Sequence, residues 1–190
     1  MFTLNSLKAF FNLCRISNLP TVWTNVLAAI VISGGEFSWS NFLVLSLSMS
    51  LLYSGGMCLN DICDADIDRI KKPFRPIPSG RVSIKNAYIF TIALFVIALA
   101  LLLIVPYKRS FYIGFFLLAL IIIYDVFHKA HPLSVILMAA CRMMVFMVSA
   151  IASTGTVGFF TTIAGSLHFV YTMIISIVAR CENKTPFGRI

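Results

Sequence analysis

Charge is what this sequence has least of. Only 12% of its 190 residues are Asp, Glu, Lys or Arg, and only 7 are acidic. Soluble domains carry about 25% charged and roughly 45–50% apolar residues; here 59% are apolar. A water-soluble fold of this composition would expose large apolar patches, so lipid is the implied solvent. Cysteine is sparse and scattered. Cys14, Cys58, Cys63, Cys141 and Cys181 form no CxxC pair, which excludes a disulfide framework and a zinc site and leaves small apolar fillers. No Gly/Ser-rich linker, low-complexity tract or composition break divides the chain, so residues 1–190 read as one membrane domain. No small-residue cleavage site follows the first apolar run, so a removable signal peptide is not expected. The net charge of +8 is accompanied by no helix-turn-helix, zinc-finger or RNA-recognition pattern, which sets nucleic acid aside as a partner.

What the chain does have is apolar runs. Six of them, approximately 19–33, 42–59, 87–105, 111–126, 133–152 and 157–179, approach the length of about 20 residues that crosses a bilayer as a helix. They are continuous rather than alternating, which favours helices over a β-barrel. The expected fold is all-α, a polytopic transmembrane helical bundle of about six spans. Twelve basic residues lie on the side of both termini and of the long 60–86 segment, two (Lys108 and Arg109) lie on the other side, and Arg142 is embedded in the fifth run. Basic residues concentrate in cytoplasmic loops, so both termini and the 60–86 loop are expected in the cytoplasm. A bacterial inner (plasma) membrane suits this pattern.

The few acidic residues are not spread evenly. Asp61, Asp64, Asp66 and Asp68 fall within eight positions, where the second run leaves the membrane. Carboxylates so crowded repel one another unless a cation screens them. On a helix, Asp61, Asp64 and Asp68 share one face, Asn60 lies beside it, and Asp66 points about 140° away from Asp61. Asn60, Asp61, Asp64 and Asp68 are therefore the expected metal ligands, with the three aspartates as catalytic residues. One or two carboxylates per ion, completed by substrate phosphate and water, is the pattern Mg²⁺ prefers. A basic loop follows with Arg69, Lys71, Lys72, Arg75 and Arg81. Carboxylate-held Mg²⁺ beside Arg and Lys is the chemistry that holds a diphosphate and neutralises it as it leaves. Pro73, Pro76 and Pro78 stiffen this loop, and Ser79-Gly80 permits a tight turn.

Elsewhere, Arg142 is a functional candidate because ionisable residues within a span are rare. It either faces a central cavity or pairs with helix carbonyls. Asn25, beside Trp23 and Thr24, is expected to face protein or a cavity, either as a helix-packing residue or as a further site candidate. His128, His131 and His168 are not spaced as ligands on one face; His168 reads as a core histidine.

The order Asn60-Asp61-x-x-Asp64-x-x-x-Asp68, then Lys72-Pro73-x-Arg75-Pro76-x-Pro78-Ser79-Gly80, resembles the first Asp-rich motif of the UbiA prenyltransferase superfamily. Arg15 followed by Ser17–Asn25 is similar to the start of that family's first helix. The resemblance implies a helical membrane enzyme that uses Mg²⁺ to move a prenyl group from its diphosphate to a lipophilic acceptor, aromatic or lipid. It implies that Asn60, Asp61, Asp64 and Asp68 bind metal and diphosphate, with Lys72 and Arg75 on the diphosphate. Tyr124 and Lys129 fall where many members carry Tyr and Lys, Lys129 then gripping the diphosphate, with Asp125 a further candidate at the same edge. Some members also carry a pair similar to Cys141-Arg142. The chain departs from the family in two places. Where a second Asp-rich motif is usual, it has Glu182 and Asn183, and it has six runs where members have eight or nine spans, which leaves a partner subunit as a source of the remainder. The alternatives are an inactive isoprenoid-binding or accessory membrane protein, a hydrolase of lipid diphosphates, and a small transporter, for which only Arg142 is placed.

Overall fold

A computed structural model describes residues 4–127 and 134–182 of the chain. All regular structure among them is helical: α1 (Leu4–Cys14), a 3₁₀ turn (Ile16–Asn18), α2 (Leu19–Ile32), α3 (Trp39–Cys63), α4 (Ala65–Lys71), α5 (Ile84–Leu102), α6 (Arg109–Phe127), α7 (Ser134–Thr154) and α8 (Phe159–Glu182). The all-α bundle expected from the sequence is the fold observed. Five helices, α3 and α5 to α8, are long and apolar enough to cross a membrane. The first apolar run differs: it makes α2, of 14 residues, about 21 Å of rise against about 30 Å of hydrocarbon. Two further helices, α1 and α4, lie outside every apolar run; at 11 and 7 residues neither can span.

The centre of the bundle is α3, which touches α1, α2, α5, α6 and α7. Leu45, Met49 and Leu52 of α3 form the main core with Val26 and Ile30 of α2, Phe95, Ala98 and Leu102 of α5, and Val148 of α7. Ser48 donates to the Ala98 carbonyl at 2.8 Å, a buried bond between α3 and α5. Such bonds help hold helices that lipid itself does not drive together. Many large apolar side chains point outward, among them Val31, Leu43, Ile92 and Leu167, where acyl chains replace water.

Close approach of α3 and α5 depends on Gly55. A Cβ built there would meet the Phe95 ring at 2.4 Å. Replacing Gly55 with Leu should overpack this seam at about 1–3 kcal/mol, lowering the melting temperature of detergent-solubilised protein by roughly 2–12 °C. An unchanged melting temperature would show that α3 and α5 do not meet at this residue.

Candidate functional site

Chemistry concentrates where α3 ends and the 72–83 loop folds back. Two apolar residues anchor that loop. Ile77 and Val82 are buried with Ala9, Leu13, Cys58, Ile62, Ala87 and Leu94, which stabilises the loop by about 1.5–3 kcal/mol per side chain. Its backbone closes on itself through Ser79 N–H to Arg75 O (3.0 Å) and Val82 N–H to Pro76 O (3.1 Å). Arg81 adds bonds to the Phe74 carbonyl and, at 2.9 Å, to Ser79 Oγ. Gly80 takes a φ of 74° in the turn, which a Cβ would disfavour. Ser83 then caps α5 by accepting from Asn86 N–H at 3.2 Å. The loop thus holds Arg75 against the acidic segment.

One Arg75 nitrogen, Nη1, lies 3.0 Å from Asp61 Oδ1 and 2.5 Å from Asp68 Oδ2. Arg15 Nη2 reaches the same Asp61 oxygen at 3.5 Å. The Asp61 and Asp68 side chains are only 6% and 5% exposed, so these are buried ion pairs whose loss on one side is expensive. Arg15 is held there by an uncommon backbone, left-handed at φ 47° and ψ 51°. The helix carrying the aspartates is not continuous: Asp64, at φ −89° and ψ −4°, separates α3 from α4. Asp61 and Asp68 still meet across this interruption, Asp64 is half-buried, and Asp66 is exposed and pairs with Arg69 at 3.2 Å. The Lys72 side chain is exposed.

Asn60 Nδ2 donates to Asp125 Oδ1 at 3.2 Å, joining α3 to α6. A carboxylate only accepts, so the amide NH₂ faces Asp125 and the amide oxygen is left for another partner. No set of three or more His, Cys, Asp or Glu side chains arranged for a metal exists among the described residues. Mg²⁺ does not require one, because it usually takes one or two carboxylates plus substrate phosphates. Asp61 and Asp68 already share one positively charged atom, so their oxygens fit a cation of this kind.

Behind this cluster a cavity of about 120 Å³ opens between α2, α3, α6 and α7. Tyr53, Tyr124, Asp125, Cys141 and Arg142 supply its polar edges. Arg142 lies over the Tyr53 ring, its guanidinium carbon 5.5 Å from the ring centre. A cation–π contact is worth about 0.5–2 kcal/mol, while an Arg at the middle of a spanning helix costs about 2.5–3.5 kcal/mol by insertion measurements. Tyr53 alone does not offset that cost. Tyr53 OH accepts from Asn18 Nδ2 at 3.0 Å, and Asn25 Nδ2 lies 3.3 Å from His168 Nε2, linking α2 to α8. A wider depression of about 680 Å³ at the opposite end of the bundle is lined by Glu36, Asn41, Tyr107 and Ser153 and touches none of the aspartates.

The structure therefore brings together Asp61, Asp68 and Arg75, and separately Asn60 with Asp125, and Arg142 with Tyr53. Lys129 and Asn183 lie outside the described residues, as does the side chain of Glu182. The sequence assigned Arg15 to orientation and to a motif resemblance, with no site role, and gave Tyr53 no role. Arg15 could have been found as the one basic residue immediately before the first apolar run. His168 has a polar partner rather than a purely core setting.

Comparison with known proteins gives a consistent pattern. The model of the UbiA prenyltransferase family matches residues 20–184. The digeranylgeranylglyceryl phosphate synthase of Saccharolobus solfataricus is 37% identical over 97 residues, covering 50% of this chain and 34% of that protein. The same enzyme of Sulfolobus acidocaldarius is 32% identical over 124 residues, covering 63% and 42%. Among solved structures, a digeranylgeranylglyceryl phosphate synthase superposes with a TM-score of 0.77 at 23% identity, over 90% of this chain and 59% of that one. A UbiA homologue from Archaeoglobus fulgidus bound to GPP and Mg²⁺ gives 0.74 at 18% identity, over 93% and 64%. The chain thus spans between a third and a half of these two curated relatives, and both structural likenesses are of fold.

Proposed function

Because the chain belongs to the UbiA prenyltransferase family, we propose that it transfers a prenyl group from a prenyl diphosphate to a lipophilic acceptor, with Mg²⁺ held by Asp61 and Asp68. One observation carries this reading: two buried carboxylates converge on a single cation position at the mouth of an apolar bundle. The Mg²⁺ and GPP of the A. fulgidus homologue and the archaeal synthases among the relatives support the same chemistry. The Asn60 amide oxygen and Asp64 complete the protein's oxygen donors. When bound, Mg²⁺ supplies neutralisation of the diphosphate charge. Arg75 and Arg15 add positive charge at the leaving group, and Lys72 and Lys129 extend it. The allylic C–O bond breaks with its electron pair going to diphosphate. A new bond forms from the acceptor to that carbon, and the acceptor's proton passes to the released diphosphate or to solvent. The apolar walls keep water from the electron-poor carbon.

The relatives' product contains two geranylgeranyl groups on glyceryl phosphate, so a glyceryl phosphate lipid with one such group is the first acceptor to try. The excess of basic residues, 12 against 2, supports a site on the cytoplasmic face of the membrane. The test is release of diphosphate from geranylgeranyl diphosphate by the full chain in detergent, with and without Mg²⁺, alongside a panel of lipid and aromatic acceptors. Mg²⁺-dependent release with prenylated product is the expected result. Release without prenylated product would favour hydrolysis. Binding of the diphosphate without release would reduce the chain to an isoprenoid-binding protein.

A further inference from the structure

We propose that Arg142 is the anion-recognising residue of the acceptor subsite, taking the carboxylate or phosphate of the molecule that receives the prenyl group. The inference rests on the prenyl-transfer reading and deepens it. Arg142 lies eight residues into α7, about 12 Å of helix rise from its start, whereas Asp125 is two residues from the end of α6. The guanidinium therefore lies deeper in the bundle than the Asn60–Asp125 contact, on the wall of the same cavity.

Its partners leave it incomplete. Among the described residues no carboxylate comes within ion-pair distance of Arg142; the Tyr53 ring is its partner. A guanidinium has five N–H donors and no acceptor, and among the described residues no hydrogen bond from Arg142 accompanies its contact with the ring. Donors in that state, inside a bundle surrounded by lipid, favour a ligand that brings negative charge. The donor substrate does not bring it. All the charge of a prenyl diphosphate is at the diphosphate, which belongs with Asp61, Asp68, Arg75 and Arg15; beyond lies only hydrocarbon. Of the two substrates, the acceptor alone can carry an anion to Arg142. The cavity volume of about 120 Å³ is the share of roughly four waters, which suits a small headgroup and leaves an acceptor's tail to pass between helices. A planar fork also matches carboxylate and phosphate oxygens in pairs.

The test is equilibrium binding by the full chain in nanodiscs. One pair of probes is geranylgeranylglyceryl phosphate and uncharged geranylgeranylglycerol; the other is 4-hydroxybenzoate and phenol. The charged member of one pair should bind about 10–100-fold more tightly, and which pair does so tells phosphate from carboxylate. Arg142→Met should abolish that preference, and Arg142→Lys should restore part of it. Mg²⁺-dependent binding of geranylgeranyl diphosphate should stay within about twofold in both variants, which also reports that they fold. Absence of charge preference in the wild type, or its survival in Arg142→Met, overturns the proposal. Should Arg142→Met not fold, an undiminished preference in Arg142→Lys overturns it, since an ammonium cannot form the paired contact. Charge-selective binding without turnover would uphold Arg142 and remove the transfer reading; turnover without charge selectivity would do the reverse.

Discussion

Replacing Asp61 with Asn is expected to lower Mg²⁺-dependent prenyl transfer by about 10²–10³-fold, the usual loss when one charge-stabilising group is removed from a reaction centre. The substitution keeps size and shape, so packing at the end of α3 is retained. What changes is charge. Asp61 Oδ1 receives Arg75 at 3.0 Å and Arg15 at 3.5 Å, making it the residue on which the loop, the N-terminal segment and α3 converge. As a neutral amide it holds a divalent cation poorly. Asp66→Asn is the control. Its side chain is 91% exposed and its ion pair is with Arg69, itself exposed, so the activity of this variant should remain within about twofold of wild type. The measurement is the initial rate with labelled geranylgeranyl diphosphate at saturating Mg²⁺. Similar rates for the two variants would move the metal site away from Asp61.

The bundle was legible because lipid leaves few options. Runs of Leu, Ile and Phe near 20 residues long must be helical to satisfy their backbone, and the runs from 42 to 179 became α3 and α5 to α8 with ends shifted by a few residues. The 19–33 run shows the limit of that argument. That run, itself only 15 residues, became α2 almost end to end, and hydropathy does not register the left-handed turn at Arg15 or the 3₁₀ turn at Ile16–Asn18 that precede it. The exposed position of Asp66 followed from helical periodicity alone. Periodicity could not reveal the interruption at Asp64, nor the convergence of Asp61 and Asp68 on one Arg75 nitrogen, because the latter depends on how Ile77 and Val82 seat the loop. Long-range pairs were the least visible. Nothing in the local sequence ties Asn60 to Asp125, 65 residues away, or Arg142 to Tyr53. Each such contact is made by two helices whose relative rotation the sequence of either one does not specify.

Arg75 carries the second large prediction. With Arg15 and Arg75 present, the charges of Asp61 and Asp68 are balanced: two negative against two positive. Arg75→Met leaves one negative charge without a partner beside a buried pair. Breaking a buried ion pair from one side costs about 3–5 kcal/mol, so without Mg²⁺ the variant should melt roughly 6–20 °C below wild type. Millimolar Mg²⁺ should raise its melting temperature more than it raises that of the wild type. In the variant the ion meets an open pair of carboxylates, while in the wild type it must displace a guanidinium held at 2.5 Å from Asp68, and stabilisation by a ligand scales with its affinity for the folded state. Adding Asp68→Asn to Arg75→Met should recover much of the metal-free stability, because it removes the unbalanced charge, and should abolish the extra Mg²⁺ response. Thermal unfolding of the three proteins, each with Mg²⁺ and with chelator, reads all of this at once. Equal Mg²⁺ shifts in wild type and Arg75→Met would mean that the ion binds elsewhere and that Arg75 is a structural clamp for the loop rather than a cation sharing the metal's position.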